Sequence, residues 1–414
     1  MSYTTITKCR LCKSTSLDKM LDFGEVPLAN DYPEKIDSPV EAYPLTVSKC
    51  KGCGHVQLNE TVSPERLFSN YTYASSDSPA LVKHFTEYAN TVTSKFRLGD
   101  YSQILELGMN DGVLLDQFQK LGLLQLFGVD PAKNICELAQ EKLGFPTKII
   151  NDFFNEETAL KMRKQHGMFD IICANNVFAH VADLDSFTSG VKILLSKNGT
   201  FIFENAYLFD TINNLYLDQF YSEHLQYYGI LPLVQYLDKF KLKIFDIQHV
   251  NTQGGSFRIF ASHKDDTRTE PIVQQWIDEE LQFGLYNEDT YKDFKFSLND
   301  LQESMKNTMD WMKENNYTVS CYGCPAKFAL LSKFFNFNRD NIRYVVDDSP
   351  LKYGRFSQGA KIPIVNNQHF KANPTDYTII STWNMAASIM ERNPSYNGTW
   401  IVPLPEIKFY GPKS

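Results

Sequence analysis

From about residue 100 the chain alternates short apolar runs with amphipathic stretches. QILELG (residues 103–108) is an apolar run that stops at a glycine, and GVLLDQFQKL after it has apolar residues at helical spacing. LFGVDP reads as a second strand, followed by PAKNICELAQEKL as a helix. FDIICANNVF and GTFIFENAY read as further strands. Strand, glycine turn and helix in repetition predict a parallel sheet wound on both faces. Residues 271–316 read as helical. A second strand–turn–helix series follows in YTVSCYGCPAKFALLSKFF, IRYVVDDSP, YTIISTW and TWIVPLP. The fold class expected is therefore α/β, with two Rossmann-like segments.

The first 60 residues break this pattern. They are punctuated by Gly24, Pro27, Pro33 and Pro44 and hold two C-x-x-C pairs. A segment this short cannot build a sufficient core alone. Between it and the first strand lies a connector, in which Ser63-Pro64-Glu65 can start a helix and the aromatic run YTYASS follows.

Composition narrows the function. A length of 414 residues suggests two or three domains. The net charge of -8, with no Lys/Arg cluster, argues against a general nucleic-acid partner. No run approaches the roughly 20 apolar residues of a membrane span. The start MSYTTITKCRLC has no apolar core of a secretory signal, so a cytoplasmic protein is expected.

Cys9, Cys12, Cys50 and Cys53 have the knuckle spacing of a four-cysteine zinc ribbon. Four thiolates leave no open position, so Zn2+ is expected to be structural; free thiols or a redox pair are the alternatives. Gly52 and Gly54 suit the knuckle turns. Cys321 and Cys324 form a third C-x-x-C, read as accidental because no second pair follows.

The loop Glu106-Leu107-Gly108-Met109-Asn110-Asp111-Gly112 ends the first strand, where glycines let backbone approach a ligand. It lacks the G-x-G-x-x-G of dinucleotide binders. It resembles the E-x-G-x-x-x-G loop of class I methyltransferases, which implies S-adenosylmethionine over Glu106, Gly108, Asn110 and Gly112. Asp130, ending the second strand, can take both ribose hydroxyls, and Asp152 and Phe153 fall at the adenine position. A Rossmann-like sheet binding another nucleotide is the alternative. Asn175 and His180 lie at and beyond the carboxyl end of the fourth strand, where such sheets bind ligands.

Phe220–Tyr228 (FYSEHLQYY) is the densest polar and aromatic cluster in the chain. It offers a base in His224, a carboxylate in Glu223 and phenols such as Tyr221. An unperturbed histidine titrates near pH 6.5, which suits proton transfer. A helix with ordinary surface charges is the bland alternative. Tyr73 of the YTYASS run can fold over the same cleft.

CRLC…CKGCGHVQL, YTYASS, ILELGMNDGVLL, NNVFAHVADL, FYSEHLQYY, NTQGGSFRIF, CYGCPAKFALL and VVDDSPLKYGR, in this order, resemble the sugar C-methyltransferases of unusual deoxysugar biosynthesis. The resemblance covers nearly the whole chain. It implies a zinc-binding domain over 1–68, a methyltransferase domain over 69–265 and a Rossmann-like domain over 266–414 that holds a sugar nucleotide. It implies methylation at carbon 3 of a nucleotide-diphosphate 4-keto-6-deoxy sugar through an enolate. His224 is then the base and Glu223 holds or tunes it, while Tyr221, Tyr73 and His180 contact the sugar or its enolate oxygen. Tyr322, Gly323 and Lys327 match the family's second glycine loop, from which Cys324 and Pro325 depart, implying a stiffer loop. Asp347, Lys352 and Arg355 are expected along the same cleft, with Gly254 and Gly255 turning between strands near it. An O- or N-methyltransferase of another small molecule, and a non-enzymatic zinc-ribbon protein binding nucleic acid, are the competing readings. The nucleotide (dTDP, GDP or CDP) and the choice between monomer and homodimer stay open.

Overall fold

The computed structural model describes residues 3–69, 71, 73–144 and 147–411; Thr72 of the aromatic run lies outside them. Ser63 caps the helix Pro64–Phe68, its hydroxyl accepting from the Arg66 N–H, with proline in the first turn.

The N-terminal segment folds as an antiparallel sheet. Leu17–Pro27 pairs with Ala42–Cys50, which pairs with Val56–Leu58. The fourth strand of this sheet is Gln226–Tyr227, contributed from far along the chain. Val47, Val56 and Leu58 share one core with Phe220, Tyr227, Phe294 and Leu298. The ribbon thus buries its apolar face against later parts of the chain, as its small size requires.

The central sheet has seven strands in the order Leu242–Val250, Ser256–His263, Leu195–Ala206, Phe169–Asn175, Gln103–Leu107, Gln125–Asp130 and Lys148–Asn151. The last five named are parallel, as the alternation of strands and helices predicts. Ser256–His263 runs antiparallel to Leu195–Ala206, and the first two named run antiparallel to each other. They form a hairpin, which needs only a short turn and no crossover helix. Gly254 and Gly255 sit in that turn at φ +90° and +139°. A Cβ on Gly254 would lie 2.5 Å from the Trp383 ring, so its bareness lets the 3-10 turn Trp383–Met385 approach.

The predicted helical stretch is two helices, Ile272–Phe283 and Glu288–Glu314, broken where Gly284 takes the left-handed conformation. Glu280 on the first is fully buried. It accepts hydrogen bonds from Tyr207 and Tyr286 hydroxyls and from the Ile230 and Leu231 N–H groups that open the helix Ile230–Lys239. A remote carboxylate thereby caps that helix.

The C-terminal sheet has six strands in the order Ile364–Val365, Val345–Val346, Val319–Tyr322, Tyr377–Ile380, Thr399–Val402 and Lys408–Tyr410. Only the last is antiparallel. In both sheets strand order reverses beside the first strand of the unit, which opens a crevice at the carboxyl ends. Among the described residues no helix is long and apolar enough to cross a membrane.

Candidate active site

A single cleft of about 2290 Å³ runs from the carboxyl ends of the central sheet to those of the C-terminal sheet. Glu106, Gly108, Asn110, Asp130, Asp152, Phe153 and Asn175 line one end. Tyr73, His180, Tyr221 and His224 line the middle, and Tyr322, Gly323, Lys327, Asp347 and Lys352 the other end.

Outside the lining of this cleft, the Sγ atoms of Cys9, Cys12, Cys50 and Cys53 all lie within 4.8 Å of one another. Zinc–thiolate bonds of about 2.3 Å give a tetrahedron edge of roughly 3.8 Å. Cys9 and Cys53 stand 3.7 Å apart and Cys12 and Cys50 3.4 Å, so the donor set fits zinc. Gly54 has φ +79°, whereas Gly52 needs no left-handed backbone. A Cβ on Gly54 would lie 2.4 Å from the Tyr286 ring. Cys321 and Cys324 are buried thiols outside any metal-type cluster among the described residues.

At the cofactor end Gly108 has φ +63°, and a Cβ there would sit 2.3 Å from Val177 Cγ2. Its N–H and that of Met109 bond to the Val129 carbonyl, tying the loop to the neighbouring strand. Glu106 Oε2 and both amide atoms of Asn175 are buried without a partner. Burial, with the Asp111 and Asp130 carboxylates beside it, holds the Glu106 carboxyl well above its usual range. A cationic ligand removes that penalty, so these orphaned groups fit the amino and sulfonium charges of S-adenosylmethionine. Asp130 accepts from the Asn110 and Ala132 N–H groups at 3.0 and 2.9 Å and keeps further lone pairs.

Two residues of the loop are engaged with the protein itself. Gly112 begins the helix Val113–Lys120 at φ +74°, and a Cβ there would meet Leu143, so it is a packing glycine outside the cleft lining. The Asn110 amide is spent on the connector: Oδ1 accepts from the Ser75 N–H at 2.8 Å and Nδ2 donates to the Tyr73 carbonyl at 3.0 Å. Asn134 holds the Tyr71 backbone by the same two-point contact. The connector is therefore strapped across the cofactor loop, and Tyr73 reaches the cleft.

FYSEHLQYY is not a surface helix. It is buried throughout, as the tail of a 3-10 turn at Leu217–Gln219 and the strand Gln226–Tyr227. His224 Nδ1 lies 3.1 Å from the Gln219 carbonyl. A carbonyl only accepts, so Nδ1 carries the proton and Nε2 is the bare base. The Tyr221 hydroxyl donates to Nε2 at 2.8 Å. Burial, reinforced by His180 and Lys327, drives His224 well below its ordinary value, which keeps it neutral. Burial also pushes His180 down to about 4, its ring edge-on to His224 at 4.9 Å.

Glu223 does not hold His224. Its Oε1 accepts from Asn30 Nδ2 at 2.7 Å and its Oε2 from the Tyr71 hydroxyl at 3.1 Å. The two neighbours in sequence point to different sides of a turn, and Glu223 stands behind the cleft wall. Burial raises its carboxyl to about 7 against those two hydrogen bonds.

At the far end Asp347 accepts from the Cys324 and Ser349 N–H groups and from Lys352, which fixes the second glycine loop. Gly323 has φ +96°. Lys327 faces Asp218 at 3.8 Å. Arg355 is displaced from its expected place: it pairs with Glu34 at 3.2 Å and the Tyr32 carbonyl, on the outside of the ribbon contact. Sequence reasoning missed Asn30, Gln219 and Asp218. Only the position of Asp218 and Gln219 just before FYSEH hinted at them.

Three family models match consecutive parts of the chain: "Putative zinc binding domain" over residues 9–68, "Methyltransferase domain" over 105–201 and "C-methyltransferase C-terminal domain" over 251–405. The C-methyltransferase NovU of Streptomyces niveus is 28% identical over 407 residues, 97% of this chain and 96% of its own. A ubiquinone biosynthesis O-methyltransferase of Bartonella bacilliformis is 31% identical over 97 residues, 23% of this chain and 38% of its own. Among solved structures, an S-adenosylmethionine-dependent methyltransferase of Clostridium acetobutylicum ATCC 824 superposes with a TM-score of 0.35 at 16% identity, covering 44% of this chain and 92% of that one. The cysteine cluster, the cofactor loop and the last sheet each fall in one of the three matched regions, in the order that similarity to NovU spans, and the chain is an S-adenosylmethionine-dependent C-methyltransferase.

Proposed function

We propose that this C-methyltransferase acts at carbon 3 of a nucleotide-diphosphate 4-keto-6-deoxy sugar, by way of an enolate. The observation that carries the reading is the bare Nε2 of a neutral, buried His224 on the cleft between the two sheets. Its supports are the length of a cleft that ends at a second nucleotide-type crevice, and similarity to NovU over nearly the whole chain.

On this reading a proton on the carbon beside the ketone passes to His224 Nε2, and its electron pair spreads onto the carbonyl oxygen. Tyr221, released from Nε2, donates to that oxygen, with Tyr73 and His180 beside it. A placed base contributes roughly 10²–10⁴-fold, and stabilised oxyanion charge contributes further. Bound S-adenosylmethionine supplies the electrophilic methyl that the enolate carbon takes. Glu106 and Asn175 hold its amino-acid end, Gly108 makes room for it, Asp130 takes its ribose, and Asp152 and Phe153 flank its adenine. Glu223 braces the connector through Tyr71. Tyr322, Gly323, Lys327 and Lys352 receive the nucleotide diphosphate on the loop that Asp347 fixes. The same reading divides the chain at 1–68, 69–265 and 266–414, and places the enzyme in the cytoplasm, where sugar nucleotides are made.

Incubation of a 4-keto-6-deoxy sugar nucleotide with enzyme in D₂O tests it. Deuterium entering carbon 3, and a methyl group on that carbon when cofactor is added, are the expected results. Methylation on oxygen or nitrogen, or no turnover of any such sugar nucleotide, would overturn the proposal.

A further inference from the structure

The turn Leu217–Gln219 carries a carboxylate that the chemistry above does not use. Asp218 is 1% exposed and lines the cleft. Its Oδ2 accepts from the Trp383 indole N–H at 2.9 Å and stands 3.8 Å from Lys327 Nζ. Its Oδ1 has no partner. A buried acceptor left unpaired is costly, so one that borders a cleft marks where a ligand's donor arrives. The contact with Lys327 is longer than a hydrogen bond, which leaves the ammonium free to turn toward an anion.

Position names the donor. Gln219, next to Asp218 in the chain, gives its carbonyl to His224, and the His180 ring lies 4.9 Å beyond. The cleft wall thus presents Lys327 beside Asp218 and His224 beside His180, the two pairs joined through the turn Leu217–Gln219. A nucleotide-linked sugar presents its diphosphate on carbon 1, a substituent on carbon 2, the acidic proton on carbon 3 and the carbonyl on carbon 4. We propose that Asp218 Oδ1 accepts a hydrogen bond from a hydroxyl on carbon 2 of the sugar while Lys327 meets the diphosphate beside it. This rests on the sugar-nucleotide reading and deepens it: the enzyme selects substrates that keep the 2-hydroxyl.

A carboxylate suits this place for two reasons. It only accepts, so it rewards a hydroxyl and gains nothing from a carbon that bears hydrogen alone. It also offers no proton to the oxygen it holds. An enolate at carbon 3 can expel the carbon 2 oxygen as hydroxide, with the carbon–oxygen electron pair. Withholding a proton from that oxygen disfavours the loss and leaves the enolate to attack the methyl.

The test uses the whole enzyme. A panel of dTDP-, GDP- and CDP-linked 4-keto-6-deoxyhexoses identifies the accepted nucleotide, and the accepted sugar is then compared with its 2-deoxy counterpart. The wild-type enzyme should favour the hydroxylated sugar in kcat/KM by about 10- to 100-fold, the range of a hydrogen bond to a charged group. Asp218→Asn keeps an acceptor but loses the charge, so it should cut that ratio to about 2- to 10-fold while its affinity for S-adenosylmethionine, by calorimetry, stays unchanged. The wild-type comparison needs no variant and stands even if Asp218→Asn folds poorly. Equal use of both sugars by the wild type, or an undiminished preference in a folded Asp218→Asn, would overturn the subsite and leave the sugar reading intact. No methylation and no carbon 3 exchange with any sugar of the panel would overturn both.

Discussion

Replacing Glu223 with glutamine should change how stability depends on pH, by an amount and with a sign that the structure sets. Glu223 is buried, and its carboxyl is raised from 4.5 to about 7, chiefly by that burial. Below pH 4.5 the native and unfolded chains both hold the proton. Between 4.5 and 7 the unfolded chain has released it and the native chain has not, so native stability falls as pH rises. Above 7 both have released it and the loss is complete. At 1.36 kcal/mol for each pH unit between the two values, the wild type should lose about 3 kcal/mol from this group across the window. Glu223→Gln removes the titration. Its carbonyl can still accept from Asn30, and its amide can meet the Tyr71 oxygen. Urea unfolding of both proteins at closely spaced pH values from 4 to 8 measures the effect. Every other titrating group is common to both and cancels in the difference. That difference should shift toward the variant by about 3 kcal/mol between pH 4.5 and 7. A difference that is flat with pH, or that grows in favour of the wild type, would refute the reasoning.

Three further outcomes are expected. His224→Ala should lower turnover by about 10²–10⁴-fold with S-adenosylmethionine affinity nearly intact, since the ring acts on substrate; calorimetry and single-turnover rates separate the two, and unchanged turnover removes His224 from the mechanism. Cys50→Ser should lose bound zinc by elemental analysis and lower the thermal midpoint, because the site ties two knuckles together; a metal-free variant of wild-type stability contradicts a structural zinc. Gly108→Ala puts a Cβ 2.3 Å from Val177 at a left-handed φ. It should weaken cofactor binding by about tenfold, at roughly 1–2 kcal/mol for the backbone alone, and Val177→Ala should restore part of the loss.

The strand–turn–helix units, the cysteine knuckles and the Ser63 cap were legible because each is written in neighbouring residues. The turn at Gly254 and Gly255 was legible, but the antiparallel joining of its strands to the sheet was not, since apolar positions mark burial and not strand direction. The pairing of Glu223 with His224 was inferred from adjacency. In a tight turn, adjacent side chains diverge, and the partner of Glu223 is Asn30, 193 positions away. Gly112 shows the same limit: a glycine in a motif says that a side chain is excluded, and only packing says by what. Here Leu143 excludes it. Asp218 gave no signal beyond its place just before FYSEH, because a lone aspartate has none until burial strips its oxygen of partners.

Gln226–Tyr227 begins two residues after His224 and closes the edge of the zinc ribbon's sheet against Val56–Leu58. The ribbon is therefore no detachable module. A chimaera that swaps ribbons between relatives at a linker boundary would import three strands and leave the fourth behind, in a chain shaped for a different partner. Grafts that carry residues 217–228 together with the ribbon should tolerate exchange where simple swaps fail, and drift in one of the two segments should be answered by drift in the other.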